Sequence, residues 1–168
     1  MYDNIFNQKN MIELQEILKK HNKTITCAES CTGGLISSMI TKISGSSEIF
    51  DGAIISYSNK IKNQELNVSK KTLDNFGAVS IEVVSEMLIG SIKKFDADFS
   101  IAVSGIAGPN GGTKLKPVGT IVIGIMNANM LSNIEVKVFE GTREEVQIQT
   151  AKTALNEILK FVKKTIDK

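Results

Sequence analysis

The feature that most constrains this chain is an alternation of two periods. Short β-branched runs alternate with stretches whose apolar residues recur every three to four positions, and near the end two such runs follow one another. Met11, Leu14, Ile17 and Leu18 predict a helix over 8–21 that closes on Lys19, Lys20 and His21, where positive charge suits the end of the helix dipole. A strand over 24–28 turns through 29–34 into a helix carrying Leu35, Ile36, Met39, Ile40 and Ile43, broken at 45–47. A second strand is predicted over 49–58, with Gly52 as a bulge, and a helical turn over 59–65. Short helix 70–76 ends at Gly77. Ser80 then caps a helix with Val83, Val84, Met87, Leu88 and Ile92 as its buried stripe. Strands follow over 98–103, 118–126 and 134–139, the last two joined by an Asn-rich turn. The final helix starts at Thr142 with the capping box Thr142-x-x-Glu145.

With no repeat and no linker, 168 residues read as one domain, 1–168. The alternation predicts an α/β fold: a single three-layer α/β/α domain with a mixed, mostly parallel β-sheet.

Composition removes several functions. Of 20 basic residues only Arg143 is arginine, and His21 is the one histidine. A Ser–His–Asp triad has only His21 to draw on, and a zinc site built from several histidines is excluded. A net charge of +2 with a single arginine predicts no nucleic-acid partner. Cys27 and Cys31, four apart, match neither a redox pair nor a metal motif, and predict reduced thiols in the cytoplasm. The N-terminus has no signal-peptide pattern and no apolar run is long enough to span a bilayer, so no membrane partner is expected.

Four places offer chemistry. The turn 29–34 lies where ligands bind in α/β sheets, with Ser30, Thr32, Gly33 and Gly34 at a helix start. Its competing reading is Ser30 or Thr32 as a plain N-cap beside packed cysteines. The loop 105–119 holds five of the 13 glycines and both prolines, with neither a P-loop nor a Rossmann pattern. Either it connects, or its amides cradle an anion. The segment 57–62 gathers Tyr57, Asn59 and two lysines at a strand end, where burial turns a lysine into a general base. Arg143 begins the last helix, where its charge opposes the dipole. Its planar fork suits phosphate or carboxylate, or it pairs with a surface acid.

These segments resemble the CinA C-terminal domain family, also known as the nicotinamide-nucleotide amidases. The markers run in order: AESCTGG at 28–34, GSS at 45–47, YSNKIK at 57–62, GAVS at 77–80, SGIAGPNGG at 104–112, KPVGT at 116–120 and EGTREEV at 140–146. The resemblance implies a deamidase that converts nicotinamide mononucleotide to nicotinate mononucleotide and ammonia through a Ser/Lys dyad, which by motif falls on Ser30 and Lys62. Lys60 stands where the family often has an acid, and Thr142 where it often has Asp. The separate N-terminal domain of many members is not expected.

On this reading Ser30 attacks the carboxamide and Lys62 is the base, its pKa further depressed by Lys60. Amides at the start of 32–43 or of 105–112 hold the oxyanion. Arg143, Thr32, Gly33, Gly34, Ser104, Gly105 and Gly108 bind the nucleotide, and Tyr57 and Asn59 orient Lys62 or meet the ribose. No cofactor and no metal is expected, the partner is a small pyridine nucleotide, and a homodimer is compatible with so small an enzyme. The alternative is a non-catalytic nucleotide-binding module acting through a competence- or damage-related partner.

Overall fold

A computed structural model of the chain describes residues 7–166; the start of the segment read for a signal, residues 1–6, lies outside them. The alternation resolves into α1 (Gln8–Lys20), β1 (Ile25–Glu29), α2 (Leu35–Thr41), a 3-10 turn (Ser46–Glu48), β2 (Ala53–Ile55), α3 (Asn59–Leu66), α4 (Lys70–Phe76), α5 (Ile81–Phe95), β3 (Phe99–Gly105), β4 (Thr120–Asn127), β5 (Ser132–Val138) and α6 (Arg143–Thr165).

The strands form one sheet in the order β2-β1-β3-β4-β5. β1 pairs in parallel with β2 and β3, whereas β4 pairs antiparallel with β3 and β5. Only β4 therefore runs against the rest, which gives the expected mixed, mostly parallel sheet. The two-residue strand period sorts the core into two layers. Cys27, Ile101 and Val103 meet Leu14 and Leu18 of α1, Ile36 and Ile40 of α2, and Leu155 and Ile158 of α6. Ala28, Ala102 and Val122 meet Leu66 of α3, Leu73 of α4, and Val83, Val84 and Met87 of α5. Each Leu, Ile, Val or Met among them contributes roughly 1.5–3 kcal/mol when fully buried.

Three details depart from the sequence reading. The second strand is three residues long, not ten. It pairs only Ala53, Ile54 and Ile55 with β1, because Ile49 is drawn into the core before it and Ser58 starts a helix after it. Gly52 makes no bulge: a Cβ there would lie 2.9 Å from the Phe95 ring, so the residue is small because a helix passes close by. The segment 59–65 forms a two-turn helix, with the Ser58 hydroxyl accepting from the Ile61 amide at 3.2 Å. Ser80 and the Thr142–Glu145 capping box behave as predicted.

The topology determines where a site can lie. The chain leaves β1 through α2 to β2 on one side, then crosses through α3, α4 and α5 to β3 on the other side. This reversal beside β1 opens a crevice at its carboxyl end, the usual ligand position in such sheets. Ser30 is the next residue after that end.

Candidate active site

Glu29 and Ser30 are consecutive, so in extended chain their side chains leave the sheet on opposite faces. Glu29, fully buried, points toward α2 and accepts five hydrogen bonds. Its Oε1 receives the Ser37 amide (2.8 Å) and hydroxyl (2.5 Å). Its Oε2 receives the Thr32 hydroxyl (2.6 Å) and the amides of Gly34 (3.0 Å) and Ile36 (3.1 Å). The residue at the N-cap of α2 is Gly34, at φ 103, and it caps nothing with a side chain. The reading of Ser30 or Thr32 as the N-cap is thus corrected: Glu29 supplies the oxygens, from five residues upstream.

Ser30 points the other way. Lys62, completing the first turn of α3, places its Nζ 3.0 Å from Ser30 Oγ and 2.7 Å from the Ser56 carbonyl. Both side chains are buried, Lys62 at 1% exposure. Its position follows from three contacts. Ser58 caps the helix, the Ser56 amide donates to the Glu29 carbonyl at 2.7 Å, and Gly90 of α5 lets Leu66 approach so closely that a Cβ there would sit 2.0 Å from its carbonyl oxygen. Burial lowers the Lys62 pKa to about 8 by penalising the ammonium; a Cys31 thiolate would raise it. Burial also holds the Cys31 thiol near 12, so that opposing charge is absent at neutral pH. Exposed Lys60 is not among the causes, and the expected like-charge effect gives way to desolvation.

Arg143 uses its fork on the protein. Nη1 donates to the Gly108 carbonyl and Nη2 to the Tyr57 hydroxyl, both at 2.8 Å. The guanidinium thereby ties the glycine-rich loop to the segment that leads from β2 into α3. Gln147, one turn along α6, donates to the Cys31 carbonyl at 2.8 Å. Gln147, Glu144, Thr32, Gly33 and Gly34 line a cleft of about 310 Å³ beside the turn.

The remaining predicted residues divide. Thr32 is buried with its hydroxyl on Glu29, Gly33 is exposed at φ 61, and the Gly34 amide is held by Glu29. Ser104 is buried and donates to the Ala78 carbonyl at 2.7 Å, and Gly105 packs against Ile121 at the end of β3. Asn59 is exposed and lines a separate hollow with Lys60, Asn63, Gln64 and Lys70. His21 sits at the C-cap of α1, as predicted.

The amides expected to hold an oxyanion narrow. Gly33 donates to the Ser30 carbonyl, Leu35 to that of Thr32, and Gly34, Ile36 and Ser37 to Glu29. Within the turn this leaves the Cys31 and Thr32 amides, the two that follow Ser30 in sequence, with the Cys31 amide set against its own sulfur. Sequence reasoning missed Glu29, Gln147 and Lys116, whose Nζ donates to the carbonyls of Phe76 (3.0 Å) and Val79 (2.7 Å) and secures the loop. An acid closing an otherwise uncharged strand, four residues before a Gly-Gly helix start, was the available signal for Glu29.

Among the described residues no helix is long and apolar enough to cross a membrane, and no group of three His, Cys, Asp or Glu side chains is arranged to hold a metal ion. The sequence matches the CinA C-terminal domain family over residues 7–162. It is 52% identical over 134 residues to a CinA-like protein of Prochlorococcus marinus strain AS9601, covering 79% of this chain and 31% of that protein. The chain thus spans about a third of the length of these CinA-like relatives. It is 45% identical over 153 residues to the nicotinamide-nucleotide amidohydrolase PncC of Enterobacter agglomerans, covering 89% of this chain and 93% of that one. Among solved structures, a competence-damaged protein (CinA) superfamily protein of Escherichia coli superimposes with a TM-score of 0.89 at 29% identity, over 96% of this chain and 93% of that one. The competence/damage inducible protein CihA of Agrobacterium tumefaciens gives 0.88 at 33% identity, over 91% and 93%.

Proposed function

This chain belongs to the CinA C-terminal domain family, and from that premise we propose that it is a nicotinamide-nucleotide amidohydrolase working through Ser30 and Lys62. The observation that carries the proposal is the 3.0 Å approach of a buried lysine, with its pKa brought to about 8, to a serine hydroxyl at the carboxyl end of β1. The match to PncC of Enterobacter agglomerans, which covers 93% of that protein, supports the substrate class.

The chemistry follows from these groups. Neutral Lys62 keeps an N–H on the Ser56 carbonyl and turns its lone pair to Ser30, whose O–H now donates to Nζ. Ser30 Oγ attacks the carboxamide carbon as its proton passes to Lys62. The oxyanion that develops is held by the Cys31 and Thr32 amides; one such donor is typically worth about 10²–10³ in rate. On collapse the C–N bond breaks and Lys62 returns the proton to the leaving nitrogen, which departs as ammonia. Water then attacks the acyl-enzyme and gives its proton to Lys62. The ester C–O bond breaks, the Lys62 proton returns to Ser30, and nicotinate mononucleotide leaves.

Recognition of the rest of the nucleotide is assigned to Arg143, Tyr57 and the loop around Gly108, with the cleft at Thr32, Gly33 and Gly34 beside them. The site uses no metal and no cofactor in this scheme. The test is ammonia release from nicotinamide mononucleotide by wild type, Ser30→Ala and Lys62→Ala. Turnover persisting in Ser30→Ala sinks the nucleophile, and a normal rate at pH 7 in Lys62→Ala sinks the base. Binding of the mononucleotide by wild type with no ammonia release favours the non-catalytic module instead.

A further inference from the structure

The two edges of the sheet are unlike. β2 ends one side with three residues, the short edge by which sheets ordinarily avoid pairing. β5 ends the other with seven residues, Ser132 to Val138, and carries no proline. Val136 and Val138 are 52% and 60% exposed, and Ile81, at the start of the helix above this face, is 46% exposed.

The free backbone groups of β5 can be identified. The Asn127 amide donates to the Leu131 carbonyl and the Phe139 amide to the Gly119 carbonyl, each at 2.9 Å. Antiparallel pairing alternates with a period of two, so 133, 135 and 137 also turn their N–H and C=O to β4. Residues 132, 134, 136 and 138 turn theirs outward.

We propose that β5 pairs antiparallel with β5 of a second copy of this chain about a two-fold axis at Val136. In this register Ile134 faces Val138 of the other copy, Val136 faces its counterpart, and Val138 faces Ile134. All three are outward residues, so each pair exchanges two backbone hydrogen bonds. Between them Glu135 faces Lys137 and Lys137 faces Glu135, in the close-set non-hydrogen-bonded positions where opposite charges stabilise. Within one copy these two side chains already pair with each other, so the charges are of the right sign and reach. A shift of the axis to residue 135 sets Glu135 against Glu135, and an axis at 134 drops Lys137 and Val138 from the pairing and sets Glu135 against Asn133, whereas the axis at 136 drops only Ser132 and Asn133. The order apolar–acid–apolar–base–apolar over 134–138 is thus complementary to itself in one register. The resulting sheet has ten strands, and only the short β2 edges remain open. The interface is independent of the amidase reading.

Light scattering after gel filtration, from 1 to 100 μM, tests the proposal. Wild type is expected to run as a dimer over the upper part of the range. Val136→Pro removes an N–H that β4 does not use, so it should give a monomer with a cooperative melt. Should that variant unfold, charge variants decide. Glu135→Lys alone and Lys137→Glu alone should each be monomeric, their equimolar mixture should form a heterodimer, and the double exchange should restore the homodimer. A monomeric wild type overturns the proposal. So does a dimer untouched by the charge variants, or a monomer whose Val136 amide is protected from hydrogen exchange, which hands the edge to another segment.

Discussion

Arg143 Nη2 donates to the Tyr57 hydroxyl at 2.8 Å while Nη1 donates to the Gly108 carbonyl at the same distance. One planar group therefore joins α6, the glycine-rich loop and the segment entering α3. A lysine keeps the charge but cannot span both acceptors. Arg143→Lys should raise KM for nicotinamide mononucleotide about tenfold, near the 1.4 kcal/mol scale of one charged hydrogen bond, with a smaller change in kcat. Tyr57→Phe, which removes one of the two acceptors, should move KM in the same direction by less. An unchanged KM in Arg143→Lys returns the residue to a surface role.

On the proposed mechanism Lys62 sets a pH dependence. Its pKa is lowered to about 8, chiefly by burial, and the reactive form is the neutral amine. Activity should therefore rise with pH through about 8 and level off above it, with kcat/KM climbing close to tenfold per unit well below the midpoint. Lys62→Arg keeps a positive charge but cannot deprotonate in this range, and should lose about 10²–10⁴ in rate. A flat profile between pH 6.5 and 9 excludes Lys62 as the titrating base.

The same burial appears in stability, with a definite sign. Between about 8 and the ordinary lysine value of 10.5 the unfolded chain binds the Lys62 proton and the folded chain does not. Folding stability then rises with pH through that window. Below pH 8 both states hold the proton and the cost of the buried ammonium is constant. Against Lys62→Met, wild type should gain on the order of 1–3 kcal/mol between pH 7.5 and 10. Paired denaturant titrations at the two pH values measure this; a difference that does not move with pH contradicts the assignment.

The layers and most elements were legible because periodicity reports burial directly, and burial is what the sheet and helices share. The stripe Val83, Val84, Met87 and Leu88 is buried as predicted, and Ser80 and Thr142 cap the helices that they precede. β2 was misread because 49–58 is apolar for two reasons: Ile49 fills the core outside the strand, and only Ala53–Ile55 pairs. The site was half legible. Ser30 and Lys62, 32 residues apart, came from motif resemblance, and no local pattern brings them within 3.0 Å. Glu29 escaped because cap rules look one residue before a helix, whereas here a carboxylate reaches over from the preceding strand. Arg143 was singled out by its unfavourable place on the dipole, but its partners Gly108 and Tyr57 are tertiary and leave no trace in local sequence.

Gly90 tests how α3 carries the base. A Cβ at this position would lie 2.0 Å from the Leu66 carbonyl oxygen and 2.7 Å from its carbon, so the neighbour that must yield is backbone. Leu66 is one turn beyond Lys62 on the same helix. Gly90→Ala should push α3 away from α5, cost about 1–3 kcal/mol by overpacking despite alanine's better helix propensity, and lower kcat more than KM is raised. Melting curves and amidase kinetics on the one variant check both halves.

Glu29 should be the most sensitive residue that never touches substrate. Five donors converge on its two oxygens, and they fix the turn that presents Ser30 and the Cys31 and Thr32 amides. Glu29→Gln keeps the shape but turns an NH₂ group toward donors, whichever way the amide is placed. At a fully buried position such unsatisfied groups cost about 2–4 kcal/mol. The fold has α2 packed through Ile36, Met39 and Ile40, so the variant should still fold, at a lower melting temperature. Its loss should fall more on kcat than on KM, since the nucleophile and oxyanion donors move relative to Lys62 while Arg143 and Tyr57 stay in place and only the Thr32–Gly34 side of the cleft shifts. Glu29→Asp, one methylene shorter, should recover acceptor chemistry but not reach, and land between wild type and Gln. Denaturant melts give the stability order, and kcat measured well below the melting temperature separates positioning from unfolding. A Gln variant with wild-type kcat at that temperature would reduce Glu29 to a structural cap.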